Sequence, residues 1–172
     1  MTRKPRGLLR PVVVLVAFAV AGILAGVVWE RLWTPSSGLV VDNTWYLDAD
    51  GVQDDFSGTG LYVLVALAVG ALLGLGTGLT TRGQELVTLA AVALGSVTAA
   101  WVMLLTGTSL GPPDPRPLAD GREDYTAIPS DLRVVGKAPY AALPAGALTT
   151  LAACFIGLTG SRRTGSDEEP DR

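Results

Sequence analysis

The chain has no histidine, and Cys154 is the lone cysteine among its 172 residues. Intramolecular disulfides are excluded, and imidazole or thiolate metal sites lose their usual ligands. Haem and iron–sulfur centres fail on the same ground. Lysine is confined to Lys4 and Lys137, and aromatic residues amount to 6%. Chemistry is thereby left to carboxylates, hydroxyls and backbone groups, and no cofactor is expected. Charge is missing in a more informative way. Residues 11–29, 60–79, 86–106 and 138–160 contain no Asp, Glu, Lys or Arg. Each run reaches or approaches the ~20 apolar residues that cross a hydrocarbon core about 30 Å thick. The overall apolar fraction of 49% is ordinary for a soluble protein, so the segregation carries the argument rather than the total.

These runs predict an all-α membrane protein, a bundle of four transmembrane helices. A basic N-terminus (1–10) precedes the first span (11–29), and an outer loop (30–59) leads to the second (60–79). A short turn (80–85) joins it to the third span (86–106). A proline-rich outer loop (107–137) leads to the fourth span (138–160) and a polar tail (161–172), expected to be disordered. Ala19-Val20-Ala21 has the small-x-small pattern of a signal-peptide cleavage site. The apolar run nevertheless continues through Ile23, Leu24, Val27 and Val28, which favours an uncleaved anchor.

Charge distribution sets the expected orientation. Arg3, Lys4, Arg6, Arg10, Arg82, Arg162 and Arg163 crowd one side of the spans, which the positive-inside tendency assigns to the cytoplasm. Both termini are then cytoplasmic in a multi-pass plasma-membrane protein. Trp29, Trp33, Tyr62, Trp101 and Tyr140 fall near the outer ends and read as an interfacial belt.

The two outer loops have structure of their own. Leu39-Val40-Val41 and Thr44-Trp45-Tyr46-Leu47 are rich in β-branched and aromatic residues, and Asp48-Ala49-Asp50-Gly51 reads as a turn. Ser57 or Thr59 is expected to cap the second span. Gly111 to Pro117 should leave the third span as an extended stretch, with Tyr125–Ile128 and Leu132–Val135 as candidate strands. A lone hairpin is only marginally stable in water, so the loops are expected to pair into one small extracytoplasmic β-containing cap.

Several residues invite functional readings. Gly22 and Gly26, and Gly70, Gly74 and Gly78, repeat every four positions and suit close helix packing within the bundle or self-association. Gly74-x-Gly76-x-Gly78 lacks the lysine and preceding strand of a phosphate loop. Asp48, Asp50, Asp54 and Asp55 are weak candidates for a cation, but Gly51 comes too early for an EF-hand and no bidentate Glu follows at the right spacing. A solvated turn is the simpler reading. Cys154 reads as a small packing residue, and Pro144 should kink the last helix. Transporters place ionisable groups within the membrane. Here Thr77, Thr88, Ser96, Thr98, Thr149 and Thr150 are the polar residues available, and hydroxyls can bond their own helix.

The Val27-Val28-Trp29-Glu30-Arg31-Leu32 segment, Val40-Val41-Asp42, Tyr46-Leu47, the glycine-rich second span, Gly111-Pro112-Pro113-Asp114-Pro115-Arg116 and Leu143-Pro144-Ala145 carry a likeness spanning roughly residues 10–158. On these the chain resembles a family of small actinobacterial integral membrane proteins of unknown function. The resemblance implies topology and brings no catalytic residues. The expected function is an accessory protein of the cell envelope that binds a membrane or envelope partner, besides the lipid bilayer, with no role for nucleic acid. A small oligomeric channel or transporter component is the alternative, and an envelope enzyme using loop carboxylates is a second; the residues lean away from an enzyme.

Overall fold

The computed structural model describes residues 6–47, 51–80 and 85–164. Among them, four helices are long and apolar enough to cross a membrane. These are α1 (Arg6–Leu32), α2 (Gly51–Thr80), α3 (Glu85–Leu110) and, after a short α4 (Pro115–Leu118), α5 (Ala142–Thr164). A small antiparallel sheet is built from both long connections. It comprises β1 (Ser37–Val41), β2 (Thr44–Leu47) and β3 (Ala127–Pro129), in the order β2-β1-β3.

Glycine decides which helices touch. A Cβ at Gly22 would lie 2.6 Å from the Ala99 carbonyl oxygen, and one at Gly26 2.7 Å from that of Met103. In the other direction Gly95 makes room for Phe18, and Gly107 for Trp29. These contacts advance by four residues on both helices, so α1 and α3 run parallel. The second pair repeats the device. Gly70 meets the Leu143 backbone, Gly74 the Ala147 backbone and Gly78 Cys154, while a Cβ at Gly146 would lie 2.5 Å from the Leu67 carbonyl. Helices α2 and α5 are therefore also parallel. Consecutive helices α2 and α3 meet more sparingly, where the Tyr62 hydroxyl donates to the Ala100 carbonyl (3.0 Å). The two parallel pairs enclose a core containing Phe18, Trp29, Tyr62, Met103, Leu143 and Leu151.

The cap departs from the sequence expectation in three places, and its hairpin turn is one the sequence reading did not single out. The hairpin turn is Asp42-Asn43, both with positive φ (49° and 56°), as the right-handed twist of a two-residue hairpin demands. Residues 48–50, where the turn was expected, lie outside the described residues. Helix α2 begins at Gly51, so Ser57 and Thr59 lie inside it and are not its caps. Thr59 instead accepts a hydrogen bond from the Val135 amide (3.0 Å). The proline-rich stretch closes into α4, whose first turn tolerates Pro115 and Pro117 and whose Asp114 carboxylate accepts from the Arg116 amide (3.0 Å). Leu132–Val135 forms no strand; Leu132 is buried beside Gly58 and Gly111.

Pro144 falls in the first turn of α5, behind a 3-10 turn over Ala138–Ala141. Amides there have no intrahelical acceptor to lose, so the proline starts the helix rather than bending it. Arg3, Lys4, Arg82 and the tail beyond Thr164 lie outside the described residues.

Candidate functional site

Among the described residues no Asp, Glu, Lys or Arg is buried in the bundle, and every buried side-chain nitrogen or oxygen has a hydrogen-bond partner. Thr77 donates to Leu73, Ser96 to Ala93, Thr98 to Leu94 and Thr150 to Gly146, each hydroxyl satisfied on its own helix. The aromatic residues do not form a uniform lipid-facing belt. Trp29 and Tyr62 are fully buried, stacked edge to face at 5.1 Å, with Tyr140 against Tyr62 at 6.2 Å. Trp29 Nε1 donates to the Gly58 carbonyl (2.7 Å), locking α1 to α2 beneath the cap. Burial inside the protein satisfies these rings more fully than an interface would, whereas Trp101 remains 61% exposed.

Chemically, the cap is two-faced. Val40, Ile128 and Ala119 pack on its inner side with Trp45, whose Nε1 crosses Gly38 to donate to the Ile128 carbonyl (3.1 Å). Ser36 and Ser130 join the loops through a buried pair of hydroxyls 2.9 Å apart and an amide bond of 2.8 Å. The strand alternation then turns Ser37, Leu39, Val41, Thr44, Tyr46, Ala127 and Pro129 to the other face. That face carries no charged side chain. Tyr46, Leu39 and Ala127 are in register across all three strands, all exposed, with Tyr46 at 57%. Two acidic residues meet at its hairpin end: Asp42 at the turn and Asp124, whose carboxylate accepts from the Asp42 amide (3.0 Å), while Asp120, Arg122 and Glu123 are exposed on the connection leading to β3. Tyr125, held at φ 65° by its amide bond to the Val40 carbonyl (2.7 Å), projects beside them.

A concave feature of about 390 Å³ lies between α3 and the 3-10 turn, lined by Val97, Thr98, Ala100, Trp101 and Tyr140. It contains no carboxylate.

The sequence candidates are distributed as follows. Gly22, Gly26, Gly70, Gly74 and Gly78 all sit at helix contacts within the chain. Asp48 and Asp50 lie outside the described residues; Asp54 and Asp55 fall in the opening turns of α2. Among the described residues no group of three or more acidic or cysteine side chains is placed to hold a metal ion. The uncharged sheet face was not singled out from sequence, although the alternation of Leu39 and Val41 against Val40 and of Tyr46 against Trp45 was its signal. The chain matches no known protein-family model, no curated protein and no solved structure.

Proposed function

We propose that this is a multi-pass plasma-membrane protein with cytoplasmic termini, whose extracytoplasmic cap binds a partner protein of the membrane or envelope through the Tyr46–Leu39–Ala127 face. The observation that carries the reading is that face itself: an apolar, uncharged row on a folded sheet, with two acids at its hairpin end. A tyrosine anchor at the centre of a contact with a charged rim is how protein interfaces concentrate affinity. Asp42 and Asp124 at its hairpin end favour a partner with basic residues beside an apolar patch. The membrane reading is supported by four helices of sufficient length and apolarity. The cytoplasmic termini are supported by the arginines flanking the spans.

The closed interior fits a binding role better than transport or catalysis. A channel formed by self-association would need contacts other than the paired glycine faces, which are filled within the chain.

The test is native purification in mild detergent with mass spectrometry of co-purifying proteins, run on the wild type, Tyr46→Asp and Leu39→Asp. A stoichiometric envelope partner lost from both variants, with the fold unchanged, supports the assignment. A chain that purifies alone, or a partner that ignores both substitutions, overturns it.

A further inference from the structure

We propose that the groove between α3 and the 3-10 turn is a binding site for one anionic phospholipid, its acyl chain lying against Val97, Ala100 and Trp101 and its phosphate beside Lys137. This rests on the membrane reading above, though not on the partner-binding role of the cap.

Depth is the first argument. Counting about 20 residues, or 30 Å, back along α2 from Thr80 reaches the Leu61–Tyr62 level. The Tyr62 hydroxyl bonds the Ala100 carbonyl, so Ala100 and Trp101 on α3 share that depth, and Tyr140 lies against Tyr62. Counted along α3 from Glu85, Ala100 and Trp101 stand about 22–24 Å up the span, so the groove opens in the outer half of the bilayer, just inside the headgroup boundary. Trp101 is turned outward there, while Trp29 and Trp33 are buried in the protein.

Chemistry is the second. At about 390 Å³ the groove falls in the ~300–1,000 Å³ range of small-ligand sites. Its lining is almost wholly apolar, and the Thr98 hydroxyl is already bonded to the Leu94 carbonyl. An alkyl chain suits it; a headgroup does not.

Charge is the third. Lys137 precedes the 3-10 turn and accepts the Tyr140 amide at its carbonyl; side chains three apart in such a turn eclipse, which would bring its ammonium over the Tyr140 end of the groove. Lys137 is exposed and, among the described residues, makes no ion pair. It is the only lysine in the two long connections. A flexible ammonium at the mouth of an apolar groove complements a phosphate whose tails enter that groove. A partner transmembrane helix is the poorer occupant, because close helix approach requires small residues where Trp101 stands.

The experiment reconstitutes the full chain in phosphatidylcholine vesicles containing a minor fraction of phosphatidylglycerol. After extraction in mild detergent, native mass spectrometry counts retained lipids on the wild type, Lys137→Gln and Val97→Trp. Both positions are exposed, and melting in detergent checks that the fold survives. The expected result is one retained phosphatidylglycerol on the wild type. Lys137→Gln should lower that retention by about five-fold while leaving phosphatidylcholine unchanged. Val97→Trp should abolish it. Equal retention of both lipids, or indifference to the two substitutions, would each overturn the assignment. Carbonate extraction of native membranes separates the two levels. A chain released by carbonate overturns the membrane reading itself, whereas a resistant chain without lipid selectivity overturns only the groove.

Discussion

Gly74 and Gly76 are two positions apart on α2, yet a methyl group added at each would meet different surroundings. At Gly74 it would strike the Ala147 backbone, which cannot turn aside; at Gly76 it would meet open space. Gly74→Ala should therefore force α2 from α5 and cost roughly 1–3 kcal/mol, as overpacking does. Gly76→Ala should be neutral or stabilise by up to ~1 kcal/mol, since alanine loses less backbone freedom in a helix. Thermal melting in detergent distinguishes them, and equal shifts would contradict the parallel-pair packing. A similar contrast holds at the hairpin. Asn43 occupies a left-handed conformation at φ 56° that glycine adopts without a Cβ penalty. Asn43→Gly is expected to stabilise the cap by ~0.5–1 kcal/mol, visible as slower amide exchange at Leu39 and Tyr46, which pair across the hairpin. Faster exchange at those amides would mean the Asp42-Asn43 turn is not what holds the strands.

At the scale of elements, a buried leucine ties the cap to the helices as firmly as its hydrogen bonds do. Leu132 enters between Gly58 of α2 and Gly111 after α3, and Val135 then reaches Thr59. Leu132→Ala should cost ~2–5 kcal/mol locally and make the connection between α3 and α5 sensitive to trypsin at Arg122 and Arg133. An unaltered digestion pattern would mean the β1–β3 pairing alone holds that loop. The helices and both strands of the hairpin are legible in the sequence because they depend on uncharged runs and on alternation in Leu39–Leu47. The glycine spacing is legible too, but not its partners. Repeats of four show that a backbone comes close without saying whose, and the non-consecutive pairs α1–α3 and α2–α5 arise from tertiary fit. The Leu132–Val135 segment reads as a strand because its residues favour one, yet burial of Leu132 on the helices outweighs that preference. Pro115-Arg116-Pro117 reads as extended because proline breaks helices, but a single turn capped by Asp114 has no internal amide bond for either proline to break. The exposed sheet face is visible only once register is known, since one residue of slip would exchange Tyr46 for Trp45.

For the whole molecule, helix length bears on where a membrane would lie. The 30 residues of α2 extend about 45 Å, well beyond a hydrocarbon core of about 30 Å. Its uncharged run covers 60–79, so the surplus lies at the cap end, where Asp54, Asp55, Ser57 and Thr59 are found. Helices α1 and α3 lengthen on the same side, through Glu30–Arg31 and Thr106–Ser109. On the proposed membrane reading the bundle would stand proud of the bilayer on one face and carry its cap there on a rigid pedestal. The proposed orientation predicts labelling by a membrane-impermeant maleimide in a Cys154→Ala background. Asp120→Cys, on the cap, should react in intact cells; Glu85→Cys, at the opposite end of α3, should react only after permeabilisation. The reverse pattern would place the cap in the cytoplasm, where the partner sought for its Tyr46 face would be a cytoplasmic protein. Labelling of both sites in intact cells would be incompatible with a bundle spanning the bilayer, and the apolar helix surfaces would then need a protein to cover them.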